Sequence, residues 1–272
     1  MTLFIVGLSF PFGPPNYGWP MITQLPQYAK DSLEAAKRFS ECNVVGLTDM
    51  PSDGWEDVAP YMALSTRMES EFRSQTASGD EHDNLTCFYR WFAIYEYIIA
   101  HDLKPPFVVL DWEVMVFQPL RPHFAAISAF EYSHVHGIDK NVNVGATTNP
   151  QLFNLVGPIK VFYEVLKMSM EARTPWFRDL SFADMSWWIH VRNVTGYPAG
   201  DMTVEGTTGF FDANITLDLD RYEGDGGRKK VVWIDKKPYF VRRSDGTPIK
   251  AVAIHCFGGA KDFTSDYLAK AT

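Results

Sequence analysis

The chain has 272 residues, 46% of them hydrophobic, with 8 Trp, 12 Tyr and 20 Phe. That is enough apolar surface for one large core, or for a main domain with a small addition, and it argues against a disordered chain. The formal charge of -8, from 25 basic and 33 acidic residues, disfavours a protein that wraps nucleic acid, because its field repels a phosphate backbone.

Thr2 to Leu8 reads as a first strand and not as a signal peptide. No basic residue precedes the apolar run, and Pro11, Pro14 and Pro15 follow closely. No apolar run is long enough for a transmembrane helix. A soluble, cytoplasmic protein is expected. The loop from Ser9 to Gly18 carries Pro, Gly and aromatic residues, a composition suited to holding a ligand at a strand end. Helical spacing of Ala29, Leu33, Ala36 and Phe39 predicts a helix over 25–40, and Asn43 to Leu47 a second strand. Helices are predicted over 59–75 and, more strongly, over 84–99, where Phe88, Phe92, Tyr95 and Ile99 repeat at three and four residues.

Phe107 to Leu110 is a run of four apolar residues, the pattern of a strand buried on both faces in a largely parallel sheet. Asp111 and Glu113 follow it. On extended backbone, side chains two residues apart point the same way. Both carboxylates are therefore expected to face one crevice at the carboxyl end of the strand, where open α/β sheets bind ligands. Two such groups repel each other unless a proton, a base or a cation joins them, and oxygen ligands suit Mg²⁺ or Mn²⁺. The competing assignment is a strand-end turn whose acids face water.

Further helices are predicted over 122–130, 158–170 and 181–191. Residues 193–212 are rich in Gly and Thr and read as irregular or short β structure. A surface turn over 221–230 precedes a hairpin of Val231–Ile234 with Tyr239–Arg243. Ala251 to Ile254 forms a last strand, and a helix follows from about Thr264. The three cysteines match no zinc or redox spacing, and Cys87 and Cys256 are expected as core residues. The alternation of strands and helices predicts an α/β fold.

The last strand delivers His255, followed by Gly258, Gly259 and Lys261. An imidazole suits a metal, glycines let backbone approach an anion, and a lysine carries mobile positive charge for phosphate. Taken with the carboxylates, these residues resemble a GT-A glycosyltransferase, most of all the retaining family 8 group of glycogenin and the lipopolysaccharide galactosyltransferases. Asp111-Trp112-Glu113 stands where that family has an Asp-x-Asp motif after an apolar strand, and His255, Gly258 and Lys261 fit its His-x-x-Gly-x-x-Lys. Arg90 sits on the helix before the metal strand, Asn143-Val144-Gly145 resembles the family's Asn-x-Gly turn, and Asp184-Met185 its Asp-Gln pair. Two residues depart from the pattern: Glu113 replaces the second Asp, and Met185 replaces the Gln.

The resemblance implies one domain over 1–272 with a single Rossmann-like mixed central sheet flanked by helices. Its nucleotide-binding half would cover about 1–120 and its acceptor half about 121–272. Asp111, Glu113 and His255 would ligate Mn²⁺ or Mg²⁺. Phe4, Val6, Gly7, Arg90, Asp111, Trp112, Asn143, Gly258 and Lys261 would contact the donor, a nucleoside diphosphate sugar, with uridine the family expectation. Asp184, Arg90 and Lys261 would act in transfer of a hexose to a hydroxyl of a glycan or other acceptor, with retention favoured over inversion. Arg90 has a structural alternative, an ion pair with a residue such as Glu96. Two rival assignments share the acids: a metal-dependent phosphohydrolase or nucleotidyltransferase, and a non-catalytic nucleotide-sugar-binding protein.

Overall fold

The computed structural model describes residues 1–8, 24–67, 82–125, 132–136, 142–147, 199–201, 210–212 and 214–272. The expected helices over 158–170 and 181–191, Asp184 among them, lie outside these residues.

The architecture is mixed α/β. Strands β1 (Thr2–Gly7), β2 (Asn43–Thr48), β3 (Glu56–Asp57) and β4 (Phe107–Leu110) pair in parallel along one side of a seven-stranded sheet. Its order is β3-β2-β1-β4-β7-β6-β8, where β6 is Tyr132–His136, β7 is Val142–Thr147 and β8 is Ala199–Asp201. β7 runs antiparallel to both β4 and β6, which makes the sheet mixed. Helix α1 (Gln27–Phe39) connects β1 to β2, and helix α2 (His82–Ala100) precedes β4.

The chain steps outward from β1 to β2 to β3, then returns to place β4 on the other side of β1. This reversal creates a switch point, and ligands of such sheets bind outside the carboxyl ends of the strands that flank it. Those ends are Gly7 and Leu110. Both strands are buried on both faces, as their unbroken apolar sequences require. Phe4, Val6, Phe107 and Val109 pack with Phe92 and Ile94 of α2. The alternate residues Leu3, Ile5, Val108 and Leu110 pack with Leu33 and Ala36 of α1.

The expected helix over 59–75 is in part a 3-10 turn at Ala59–Tyr61, with α-helical residues at 63–67. Helix α3 (Arg121–Ala125) opens the segment predicted over 122–130.

A second sheet is built from β12 (Val231–Ile234), β13 (Lys237–Val241), β14 (Pro248–His255) and β5 (Val114–Val116), with β9 (Phe210–Phe211) on β14. A two-stranded hairpin, β10 (Gly224–Asp225) and β11 (Arg228–Lys229), stands beside it. The antiparallel register pairs His255 with Val114 and Ile254 with Met115. The short run after Glu113 is thus bound to the last strand of the chain. A 3-10 helix, Gly258–Phe263, leads into helix α4 (Thr264–Ala271). Buried Asp31 of α1 accepts hydrogen bonds from the hydroxyls of Thr264 and Ser265, both at 2.7 Å. That tie fixes the segment carrying Lys261 against α1. Among the described residues no helix is long and apolar enough to cross a membrane.

Candidate functional site

Asp111, Trp112 and Glu113 link β4 of the first sheet to β5 of the second. The link is a turn, with the Val114 N–H donating to the Asp111 carbonyl at 3.0 Å. The expectation that Asp111 and Glu113 project together from extended backbone is corrected here. The chain must turn to leave one sheet for the other, and each acid meets its own partners.

Glu113 is 8% exposed, and its Oε1 lies 2.9 Å from Nε2 of His255, itself 3% exposed. The ammonium of Lys261 pairs with the other carboxylate oxygen. Burial alone would raise the Glu113 pKa. The hydrogen bond from His255 and the charges of His255 and Lys261 outweigh it and hold the carboxyl below its ordinary value. The Glu113 backbone is also secured to the tail through its carbonyl, which accepts from the Cys256 N–H at 2.9 Å.

Asp111 instead pairs with Arg90 of α2. The alternative partner of Arg90 is otherwise engaged, since the Glu96 carboxylate accepts the backbone N–H groups of Ala63 and Leu64. The site therefore carries two carboxylates and two fixed cations, Arg90 and Lys261, all partly or wholly withdrawn from water.

Aromatic side chains wall this charge cluster. The Lys261 ammonium lies 4.8 Å from the ring centre of Tyr28 and 6.0 Å from that of Phe257, within cation–π range. Tyr28 in turn meets Trp112 edge to face at 5.7 Å. Burial and the Glu113 charge push the Tyr28 hydroxyl pKa up to about 12. Phe257 is half exposed, at 50%. Neither Tyr28 nor Phe257 was singled out in the sequence. Tyr28 sits one place before an apolar stripe that reads as ordinary helix, and nothing local marks it.

Gly7 ends β1 beneath this wall. A Cβ built there would stand 2.6 Å from Cε3 of Trp112, so the glycine is what lets the indole settle on the strand end. Phe4 and Val6 are core side chains. Phe4 is wholly buried, with its ring 5.8 Å from Tyr97 and 6.1 Å from Phe107. Of the three β1 candidates, Gly7 borders the site. Gly258 has φ +60 and open space around it, a conformation that begins the turn to Lys261 and that L side chains resist.

Asn143 and Gly145 lie within β7, not in a turn, because Val144 pairs with Leu110 and Gly145 with Val109 across the sheet. Cys256 is buried, and burial with the charges of Asp212, Glu113 and Asp31 drives its thiol pKa well above the ordinary value. It is a core residue, as expected, and no nucleophile.

A carboxylate oxygen and an imidazole nitrogen are both ligand types of Mn²⁺, and Glu113 with His255 brings one of each together. Asp111 is held by Arg90, and among the described residues no group of three His, Cys, Asp or Glu side chains is placed to hold a metal ion. The donor set fits a divalent cation in kind, through Glu113 and His255.

No family model and no curated protein matches the chain. Among solved structures it is similar to the apo form of mouse xyloside xylosyltransferase 1, at 10% identity over 73% of this chain and 83% of that one, with a TM-score of 0.48. It is also similar to the glycosyltransferase GlyE of Streptococcus pneumoniae TIGR4, at 11% identity over 80% of this chain and 48% of that one, with a TM-score of 0.40.

Proposed function

We propose that the protein is a glycosyltransferase of the GT-A type, moving a hexose from a nucleoside diphosphate sugar, with uridine the expected base, to a hydroxyl acceptor. One observation carries this assignment. Acids and cations from the middle of the chain and from its tail meet at the switch point between β1 and β4.

In the reaction, the bond from the anomeric carbon to the diphosphate oxygen breaks, and the diphosphate leaves with the electron pair. The acceptor oxygen bonds to that carbon and gives up its proton. Charge grows on the leaving group, so fixed positive charge aimed there lowers the barrier. Lys261, paired with Glu113, and Arg90, paired with Asp111, would supply it. Glu113 and His255 would hold Mn²⁺ or Mg²⁺, with Asp111 as third ligand once released from Arg90, and the ion would add Lewis acidity toward the diphosphate. Trp112 and Tyr28 offer an apolar wall that excludes water. Asp184 and Asn143 are assigned toward the sugar by the family resemblance, and a retaining outcome is expected on the same ground.

The test is release of nucleoside diphosphate from UDP-, GDP- and dTDP-sugars with manganese, with and without sugar acceptors. Release that accelerates with one acceptor supports transfer. Acceptor-independent release points to a phosphohydrolase, and binding without turnover in every mixture points to a carrier. NMR of the product anomer reads the stereochemistry.

A further inference from the structure

Against the end of β14, the strand that carries His255, lies a second charge cluster that the site above does not use. Lys229 of β11 is wholly buried, side chain included, and so is Asp212. The Lys229 ammonium donates to Asp212 Oδ1 at 2.7 Å and to the Asn214 carbonyl at 2.8 Å. Asp218 Oδ2 stands 3.9 Å away, and the rings of Tyr222 and Phe240 close the sides at 5.6 and 5.5 Å.

This cluster grips the segment that runs along the end of β14. The Asp212 N–H donates to the Ala253 carbonyl at 3.0 Å, and the Ile215 N–H to the His255 carbonyl at 3.1 Å. The Lys229 N–H then donates to the Ile215 carbonyl at 2.7 Å. The Asp212 carboxylate also interacts with the backbone N–H of His255. Such an arrangement is a poor way to stabilise a core, since apolar residues of similar size commonly do as well or better. Its backbone ties to the Ala253 and His255 carbonyls, at the end of the strand that carries the imidazole, point to another use.

We propose that Lys229 and Asp212 are positioning residues for His255, fixing the end of β14 so that the ring faces Glu113. The proposal builds on the assignment of His255 to the donor site.

The experiment compares the parent with Lys229→Met, Asp212→Leu and the double variant. The readouts are thermal midpoint, the ¹⁵N signals of the His255 ring, and affinity for UDP with manganese. Each single change strands a buried charge and lowers the midpoint. The double variant is expected to recover the midpoint, yet to keep displaced His255 signals and at least tenfold weaker UDP binding. A double variant with parental ring signals and affinity overturns the proposal and leaves a merely structural pair. If the parent itself binds no UDP, the donor-site assignment fails, and the ring signals still decide the positioning role. If the double variant does not fold, Lys229→Arg, which keeps the charge and alters its reach, takes its place. Shifted ring signals then support the role, and unshifted ones remove it.

Discussion

Glu113 and His255 are 142 positions apart in the chain and 2.9 Å apart in the fold. The pairing of β5 with β14 brings them there, because His255 is in register with Val114, the neighbour of Glu113. The contact between these two side chains is thus set by backbone hydrogen bonds. Replacing His255 by Ala removes one partner of a buried, charge-assisted contact, while Lys261 still compensates Glu113. The expected loss of stability is about 2–3 kcal/mol, measured by urea unfolding. A change within about 0.5 kcal/mol, the range of ordinary surface substitutions, would show that the contact is not made in solution.

Acid should act on this pair first through Glu113. Its pKa is lowered in the folded state relative to the ordinary value of 4.5. The stabilisation it provides is therefore fully present above that value. It is lost as pH falls through the lower, folded pKa. Thermal midpoints taken from neutral pH down to about pH 3 should drop more steeply for the parent than for Glu113→Gln. Parallel acid slopes would mean that Glu113 does not gain its charge stabilisation from His255 and Lys261.

Gly7→Ala tests the seat of Trp112. The added methyl would come within 2.6 Å of the indole, and the ring is itself packed on Tyr28. Overpacking of this kind costs about 1–3 kcal/mol. The near-ultraviolet dichroism of the tryptophans should change with it. A variant of parental stability and spectrum would place Trp112 away from the strand end.

The strand Phe107–Leu110 and the residues that follow it were legible because the signal is local: an unbroken apolar run, then acids. The first β-α-β unit was legible for the same reason. The direction of the acids was not. Whether Asp111 and Glu113 continue a strand or turn depends on β5 leaving for the second sheet, and its partner strand lies near the other end of the chain. Asn143 and Gly145 read as a turn by residue type, yet pairing with β4 keeps them extended. Lys229 falls in a stretch that reads as a glycine-rich surface turn. Its burial comes from Asp212, Tyr222 and Phe240, contacts that only the closed second sheet supplies.

Arg90 and Asp111 offer a test in which stability and binding separate. The pair joins α2 to the end of β4, and both side chains are largely withdrawn from water, at 15% and 18% exposure. A double-mutant cycle with Arg90→Met and Asp111→Asn should give a coupling of about 1–2 kcal/mol by urea unfolding. Arg90→Lys should recover little of it, because a point charge does not reproduce the planar guanidinium fork. Binding should divide differently. On the proposed assignment, which makes Asp111 an oxygen ligand, Asp111→Asn should weaken manganese-dependent donor binding at least tenfold, about 1.4 kcal/mol. Arg90→Met should weaken donor binding with manganese present or absent, since the same proposal directs its charge at the diphosphate. If both changes weakened binding equally with and without manganese, Asp111 would have no part in holding the ion. Glu113 and His255 would then be its whole protein complement among the described residues.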